Sequence, residues 1–236
     1  MAEHARQTVY EELLDALLLE PELEGFLAAA AEISAQRLGL AAPGGCSIAV
    51  ERIRRPRLSA PSLGLSGPVP DLEYGTGSPG DTVLGGGPGV VIRDLAADQQ
   101  WPGTGAAAAA GLRSAIVLPL HGNRGALSCY SDRPGLFDER ETQRAKELAA
   151  ETAKVLRLAL LLDARAHRAA NLQAALESRT VVDLAAGIIM GQNGCSQQAA
   201  IDILRSVSNT RNIKIRNVAA GVVSAVSDRV NTHFDE

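Results

Sequence analysis

Between Ile203 and Ser227 the chain carries four cations, Arg205, Arg211, Lys214 and Arg216, and no acid, although the protein as a whole has a net charge of −4. Positive charge uninterrupted over such a stretch is chemistry for holding phosphate oxygens. Asn212 lies among these cations in the run Arg211-Asn212-Ile213-Lys214-Ile215-Arg216. The asymmetry extends further. Residues 1–164 hold 15 Lys/Arg against 21 Asp/Glu, whereas residues 165–236 hold 8 against 6. A modestly basic end on an acidic body fits a polyanion partner for that end alone. The plainer reading, a solvated helical face, is weakened by the absence of interleaved acids.

Bond-making chemistry has no comparable constellation. His4, His121, His167 and His233 are scattered, and Gly85-Gly86-Gly87 lacks the following Lys and the strand-to-helix setting of a phosphate loop. Cys46, Cys129 and Cys195 form no Cys-x-x-Cys or Cys/His cluster, so they read as small buried hydrophobes and imply neither a disulfide framework nor zinc. Neither catalysis nor a cofactor is expected. No apolar run approaches the ~18 residues that span a membrane, and the polar, acidic N-terminus has no signal-peptide core. The expectation is a cytoplasmic protein without a membrane partner.

Three short helical patterns position the cations. In the first, Leu184, Ile188 and Ile189 give an apolar face and Gly187 permits close backbone approach. Gly194 suits the left-handed residue that ends a helix, and Ser196 suits the N-cap of the next. The second helix turns Ala200, Ile203, Leu204 and Val207 inward and Arg205 outward, and Asn209 or Thr210 ends it. The third buries Ile215, Val218, Val222 and Val226, with Arg211, Lys214 and Arg216 at its start, where unpaired N–H groups and the helix dipole also attract phosphate.

Upstream, apolar spacing predicts helices over Thr8–Leu19 and Glu22–Leu38 and a strand over Cys46–Ile53, with Arg57–Ser59 as its hairpin partner. Pro61–Gly89 is dense in proline and glycine and reads as irregular. Val90–Ile92, a helix over Ala106–Ala110, and strands over Ser114–Leu120 and Gly125–Tyr130 follow. The last two are joined by His121-Gly122-Asn123-Arg124, and Phe137-Asp138-Glu139 then opens a long helix. The class is α+β with an antiparallel sheet flanked by helices. An apolar ligand pocket is expected at Ile116, Leu118, Leu127 and Cys129, under a Pro/Gly-rich cover too poor in large apolar residues to seal a face; a filled core is the competing reading. Leu148, Val155, Leu162, Ala169 and Leu176 recur every seven residues, the period of a helix seam facing a partner helix. Up to Leu162 this seam could equally pack on the domain's own sheet. Beyond Asp163 homodimer pairing is the better explanation.

Two resemblances organise these segments. The runs Asp183-Leu184-Ala185-Ala186-Gly187-Ile188-Ile189-Met190, Gly194-Cys195-Ser196, Leu204-Arg205 and the Asn212-x-Lys214-x-Arg216-x-Val218-Ala219 ending resemble the ANTAR domain, a three-helix RNA-binding output module of transcription antiterminators. Residues 22–163 resemble the GAF fold, a small-molecule-binding or signalling domain. The features concerned are Leu72-Glu73-Tyr74, Val91-Ile92-Arg93-Asp94-Leu95, Trp101-Pro102, Gly111-Leu112-Arg113-Ser114, Leu118-Pro119-Leu120 and Tyr130-Ser131-Asp132-Arg133-Pro134-Gly135-Leu136-Phe137. The likeness is nearest to GAF domains preceding ANTAR domains in actinobacterial-type regulators. It implies a sensor domain at 1–163, then a helical linker and output domain at 164–236 with its core at about 172–226. The output domain would be dimeric, binding paired hairpins in nascent mRNA through Arg205, Arg211, Asn212, Lys214 and Arg216, so that no terminator forms. The alternative is a ligand-sensing module whose C-terminal helices bind a protein. The chain departs from its relatives at Ser78-Pro79-Gly80, which offers no thiol. It departs again at Ala186, at Gly191-Gln192-Asn193, where relatives carry basic residues, at Ala199, where they carry an acid, and at Ile201, where they carry an aromatic.

Overall fold

The computed structural model describes residues 8–52, 55–65, 75–101, 103–122 and 124–231, with side chains through Val226. Leu72-Glu73-Tyr74, Pro102, Asn123, His4 and His233 lie outside the described residues. The chain divides into two compact units, Met1–Asp163 and Ala164–Glu236.

In the first unit, helices α1 (Val9–Leu19) and α2 (Leu23–Leu38) precede strands β1 (Gly45–Arg52) and β2 (Arg55–Pro61). A short helix α3 (Pro79–Leu84), strand β3 (Val90–Ile92), helix α4 (Thr104–Ala109), strands β4 (Ser114–Pro119) and β5 (Gly125–Ser131), and the start of helix α5 (Glu139–Asn193) follow. Helix ends follow local chemistry. Thr8 and Glu11 form a capping box at α1. Asp138 accepts the Glu141 amide at 2.8 Å to open α5. The segment read as irregular contains α3, which Ser78 caps by accepting the Asp81 amide and Pro79 begins.

The five strands form one antiparallel sheet in the order β2-β1-β5-β4-β3. Its edges are β2, which carries Arg55, Pro56, Arg57 and Pro61, and β3, only three residues long. Alternation along the strands divides the side chains between two buried faces. Cys46, Ile48, Val50, Ile116, Leu118, Leu127 and Cys129 pack with Leu13, Phe26, Leu27, Leu148, Val155 and Leu156 from α1, α2 and α5. Ala49, Val117 and Ala126 pack under Val83 and Leu84 of α3. Ala115 and Tyr130 join Ile92, Leu95, Ala107 and Leu112. Ser47 is buried on this second face.

This geometry corrects the expected pocket. Ile116, Leu118, Leu127 and Cys129 are packed into the main core beneath three helices, whereas Val83 and Leu84 of the Pro/Gly-rich segment cover the other face. Strand alternation separates two faces but cannot say which one the helices cover. The cysteines reveal something else: Cys46 and Cys129 stand directly opposite on β1 and β5, with Sγ atoms 3.2 Å apart. Both are free thiols, and burial, then the neighbouring Cys129, pushes the Cys46 thiol well above its ordinary range.

The second unit is three helices: the end of α5, α6 (Gln197–Arg211) and α7 (Ile215–Asn231). Its buried core is Ala185, Ala186, Ile189, Ala200, Leu204 and Ala219, with half-buried Val181, Val182, Met190, Ile201, Ile215, Val218, Val222 and Val223 around it. The face expected from Leu184, Ile188 and Ile189 is rotated: Leu184 is 55% exposed, and Ala185 and Ala186 point inward instead. Ile203, expected inside, is also exposed. No described helix is long and apolar enough to cross a membrane.

Candidate nucleic-acid interface

The two corners of the helical unit are made differently. Gly194, at φ 61°, ends α5 with its amide on the Met190 carbonyl, and Ser196 caps α6 by accepting the Ala199 amide at 3.3 Å. At the second corner, α6 continues through Asn209 and Thr210, whose hydroxyl donates to the Ser206 carbonyl within the helix. The break falls at Asn212, at φ 51° and ψ 41°, a left-handed conformation that Asn tolerates better than most residues. The Ile213 amide returns to the Ser208 carbonyl, and the Ser208 hydroxyl donates to the Ile213 carbonyl at 2.6 Å, closing the turn from both directions.

Arg211 is therefore the last residue of α6 and not part of the third helix as expected, whereas Lys214 immediately precedes α7 and Arg216 lies in its first turn. The corner gathers Arg211, Asn212, Lys214 and Arg216 within six residues, all exposed. Among the described residues, Arg211, Lys214 and Arg216 form no ion pair. The amides of Asn217 and Val218 bond to the Lys214 carbonyl. Those of Ile215 and Arg216 make no hydrogen bond among the described residues, and no acid occupies the first turn. Unpaired amides, the positive end of the helix dipole and three uncommitted cations favour an anion here. Arg205 stands apart, about 9 Å back along α6 from Arg211 at 1.5 Å per residue. It is held 3.5 Å from Asp202 by an exposed pair of little strength.

Two of the sequence departures fall into place physically. Ala186 is buried in the helical core, so a cation there would not add to the surface, whereas Gly191, Gln192 and Asn193 are exposed and do leave that surface uncharged.

The heptad seam divides. Leu148 and Val155 are core residues of the first unit and are not available to another helix, because α5 begins by packing on α1, α2 and the sheet. Leu162, Ala169 and Leu176 are exposed. Leu158 and Leu172 are exposed too. Each lies three residues after a seam position, Val155 and Ala169, a spacing that puts it on the same side of the helix.

Family models match at both ends: a GAF domain over residues 20–157 and an ANTAR domain over residues 170–223. No curated protein matches the chain. Solved structures similar to it include the GAF domain from Acinetobacter phosphoenolpyruvate-protein phosphotransferase, at 18% identity over 70% of this chain and 99% of that one with a TM-score of 0.43. Another is the N-acylhomoserine lactone dependent LuxR family transcription factor CepR2 from Burkholderia cenocepacia, at 20% identity over 65% and 94% with a TM-score of 0.46. A third is the type II free methionine-R-sulfoxide reductase from Thermoplasma acidophilum, at 17% identity over 57% and 95% with a TM-score of 0.43. With one model spanning more than half of the chain and the other spanning its helical end, the chain belongs to the GAF domain family and carries an ANTAR domain behind it, the layout of a transcription antitermination regulator.

Proposed function

We propose that residues 1–163 form a signal-receiving domain and residues 164–236 a dimeric output domain that binds paired hairpins in nascent mRNA, holding them against formation of a terminator. The observation that carries this reading is the corner at Arg211, Asn212, Lys214 and Arg216, where cations without acidic partners surround a helix start whose first amides are unpaired. Lys214 and Arg216 engage phosphates beside the Ile215 and Arg216 amides, Arg211 approaches from the end of α6, and Arg205 extends the contact once Asp202 releases it.

For the signal-receiving domain, the second face of the sheet is the side on which a small molecule would be received. Ala49 and Ala126 are small there, and the buried Ser128 hydroxyl makes no hydrogen bond among the described residues.

Electrophoretic shifts with a two-hairpin RNA, a single hairpin and duplex DNA test the reading. Two-hairpin RNA should bind tightest, and R211A/K214A should reduce the log-log salt slope by about 0.7–0.9 per lost phosphate contact without unfolding the protein. An unchanged affinity and slope in the double variant removes this corner from the interface. Exposed Ile203 and Ile213 favour one other reading, in which the C-terminal helices bind a protein; tight, salt-insensitive capture of a protein together with no RNA shift would select it.

A further inference from the structure

Helix α5 keeps an exposed stripe where it leaves the first unit. At about 100° per residue, Leu162, Arg165, Ala169, Leu172, Leu176, Thr180, Asp183 and Gly187 fall within an arc of about 80°. All eight are exposed, Leu172 and Leu176 at 68% and 67%. The stripe is unusual in containing one cation and one acid on the apolar face itself, Arg165 towards one end and Asp183 towards the other. Arg165 forms no ion pair among the described residues. Asp183 has only Arg179, at 3.8 Å between exposed side chains, a contact weak enough to be exchanged.

We propose that this stripe pairs with the same stripe of a second copy running in the opposite direction, about a two-fold axis level with Ala174, so that Arg165 meets the second copy's Asp183 and Leu172 packs on the second copy's Leu176. The proposal rests on the dimer reading above and adds the direction of the pairing. A two-fold contact must be self-complementary, and the stripe is symmetric about Ala174: Leu172 and Leu176 lie two positions either side, Arg165 and Asp183 nine. The two leucine layers at the centre serve either direction, so the charges decide. Running in parallel and in register, the helices set Arg165 against Arg165 and Asp183 against Asp183 inside the seam, two repulsive layers. Running antiparallel, they form two opposite-charge layers instead, and a polar position inside a helix seam is the device that fixes orientation and register. Side-chain size agrees. Antiparallel pairing brings Leu162 beside the second copy's Gly187, where an added Cβ would meet nothing within 4 Å. The room left at Gly187 in one copy is thus filled by a leucine of the other, whereas parallel pairing faces glycine with glycine.

Disulfide trapping in the full chain tests the direction, with Cys195, the one half-exposed thiol, first removed as C195S. Antiparallel pairing places Ala169 beside the second copy's Thr180, while the two copies of Ala169 are about 15 Å apart along the axis, outside the ~4.4–6.8 Å Cα separation a disulfide permits. Mild oxidation of A169C mixed with a size-tagged T180C should therefore give the mixed dimer and little self-linked product of either. In sedimentation equilibrium, R165D should raise the dimer dissociation constant about tenfold, as two attractive layers become repulsive ones, and R165D/D183R should restore it. Efficient self-linking of A169C and of T180C, or an R165D/D183R variant no tighter than R165D, overturns the antiparallel arrangement while leaving a dimer. An unmutated chain that sediments as a monomer at tens of micromolar overturns the dimer reading and the proposal with it.

Discussion

The two units are held together by different materials. In the first, a sheet is packed on both faces, and the largest buried groups are Tyr130, Phe26 and a set of leucines and isoleucines. In the second, four of the six buried residues are alanines, Ala185, Ala186, Ala200 and Ala219, joined by Ile189 and Leu204. Alanine buries little area, so the gain from removing apolar surface from water is modest there. What it provides is close approach of helix backbones, which makes the helical core sensitive to shape and the sheet-based core sensitive to volume.

The largest effect should come from breaking the first core. F26A removes a fully buried ring beneath α2 and should cost about 3–5 kcal/mol. Calorimetry should show the loss in the transition of the first unit, with that of the helical unit unmoved; one merged shift would mean the two cores do not melt separately. Next comes overfilling of the second core. A200L inserts branched bulk into a closely approached helix contact and should cost about 1–3 kcal/mol, read as loss of helical circular dichroism at lower temperature. An unchanged midpoint would mean that core is loose, not shape-determined. The smallest effect belongs to the surface of the first unit. Asp94 is held below the ordinary carboxylate range first by the hydrogen bonds from Arg113 and then by the Ala96 amide. A carboxyl depressed in the folded state contributes above its unfolded value of about 3.9 and loses that contribution as pH falls through the lowered value. D94N should therefore lower stability slightly at pH 7, where the contribution is present, leave it nearly unchanged near pH 2, and so flatten the dependence of stability on pH below about 4. Denaturant midpoints across pH 2–5 measure it, and curves that stay parallel would remove the Asp94–Arg113 pair from the acid response.

The same contrast explains what the sequence disclosed. Strands β1 and β5 were legible because Ile48, Val50 and Leu127 alternate with small residues, and β4 because a short apolar run, Ala115 to Leu118, precedes a hairpin turn; both signals survive whichever face is covered. The choice of face was not legible. It depends on where α1, α2 and α5 dock, a long-range outcome, and the pocket residues were misplaced for that reason. In the helical unit the corner at Gly194 and Ser196 was legible because left-handed and capping positions each demand a residue type. The buried side of α5 was not, because hydrophobicity points to Leu184 and the core selects Ala185 and Ala186. The four cations were visible by charge alone. Assigning Arg211 to α6 needed the break at Asn212, whereas the helix-ending chemistry of Asn209 and Thr210 placed it earlier.

The blunt edges of the sheet bear on how large an assembly this chain can form. Exposed strand edges invite further strands, and a protein that associates through them grows without limit. Here β2 presents Pro56, which has no amide to give to a neighbouring strand, between Arg55 and Arg57, which repel a like-charged copy; Arg55 is also tied to Asp163 and Arg57 to Glu51. The opposite edge, β3, offers three residues, too few to template a stable addition. With both edges closed to polymerisation, any self-association is left to helical surface, where a two-fold contact would use itself up in a single pairing and growth would stop at a finite particle.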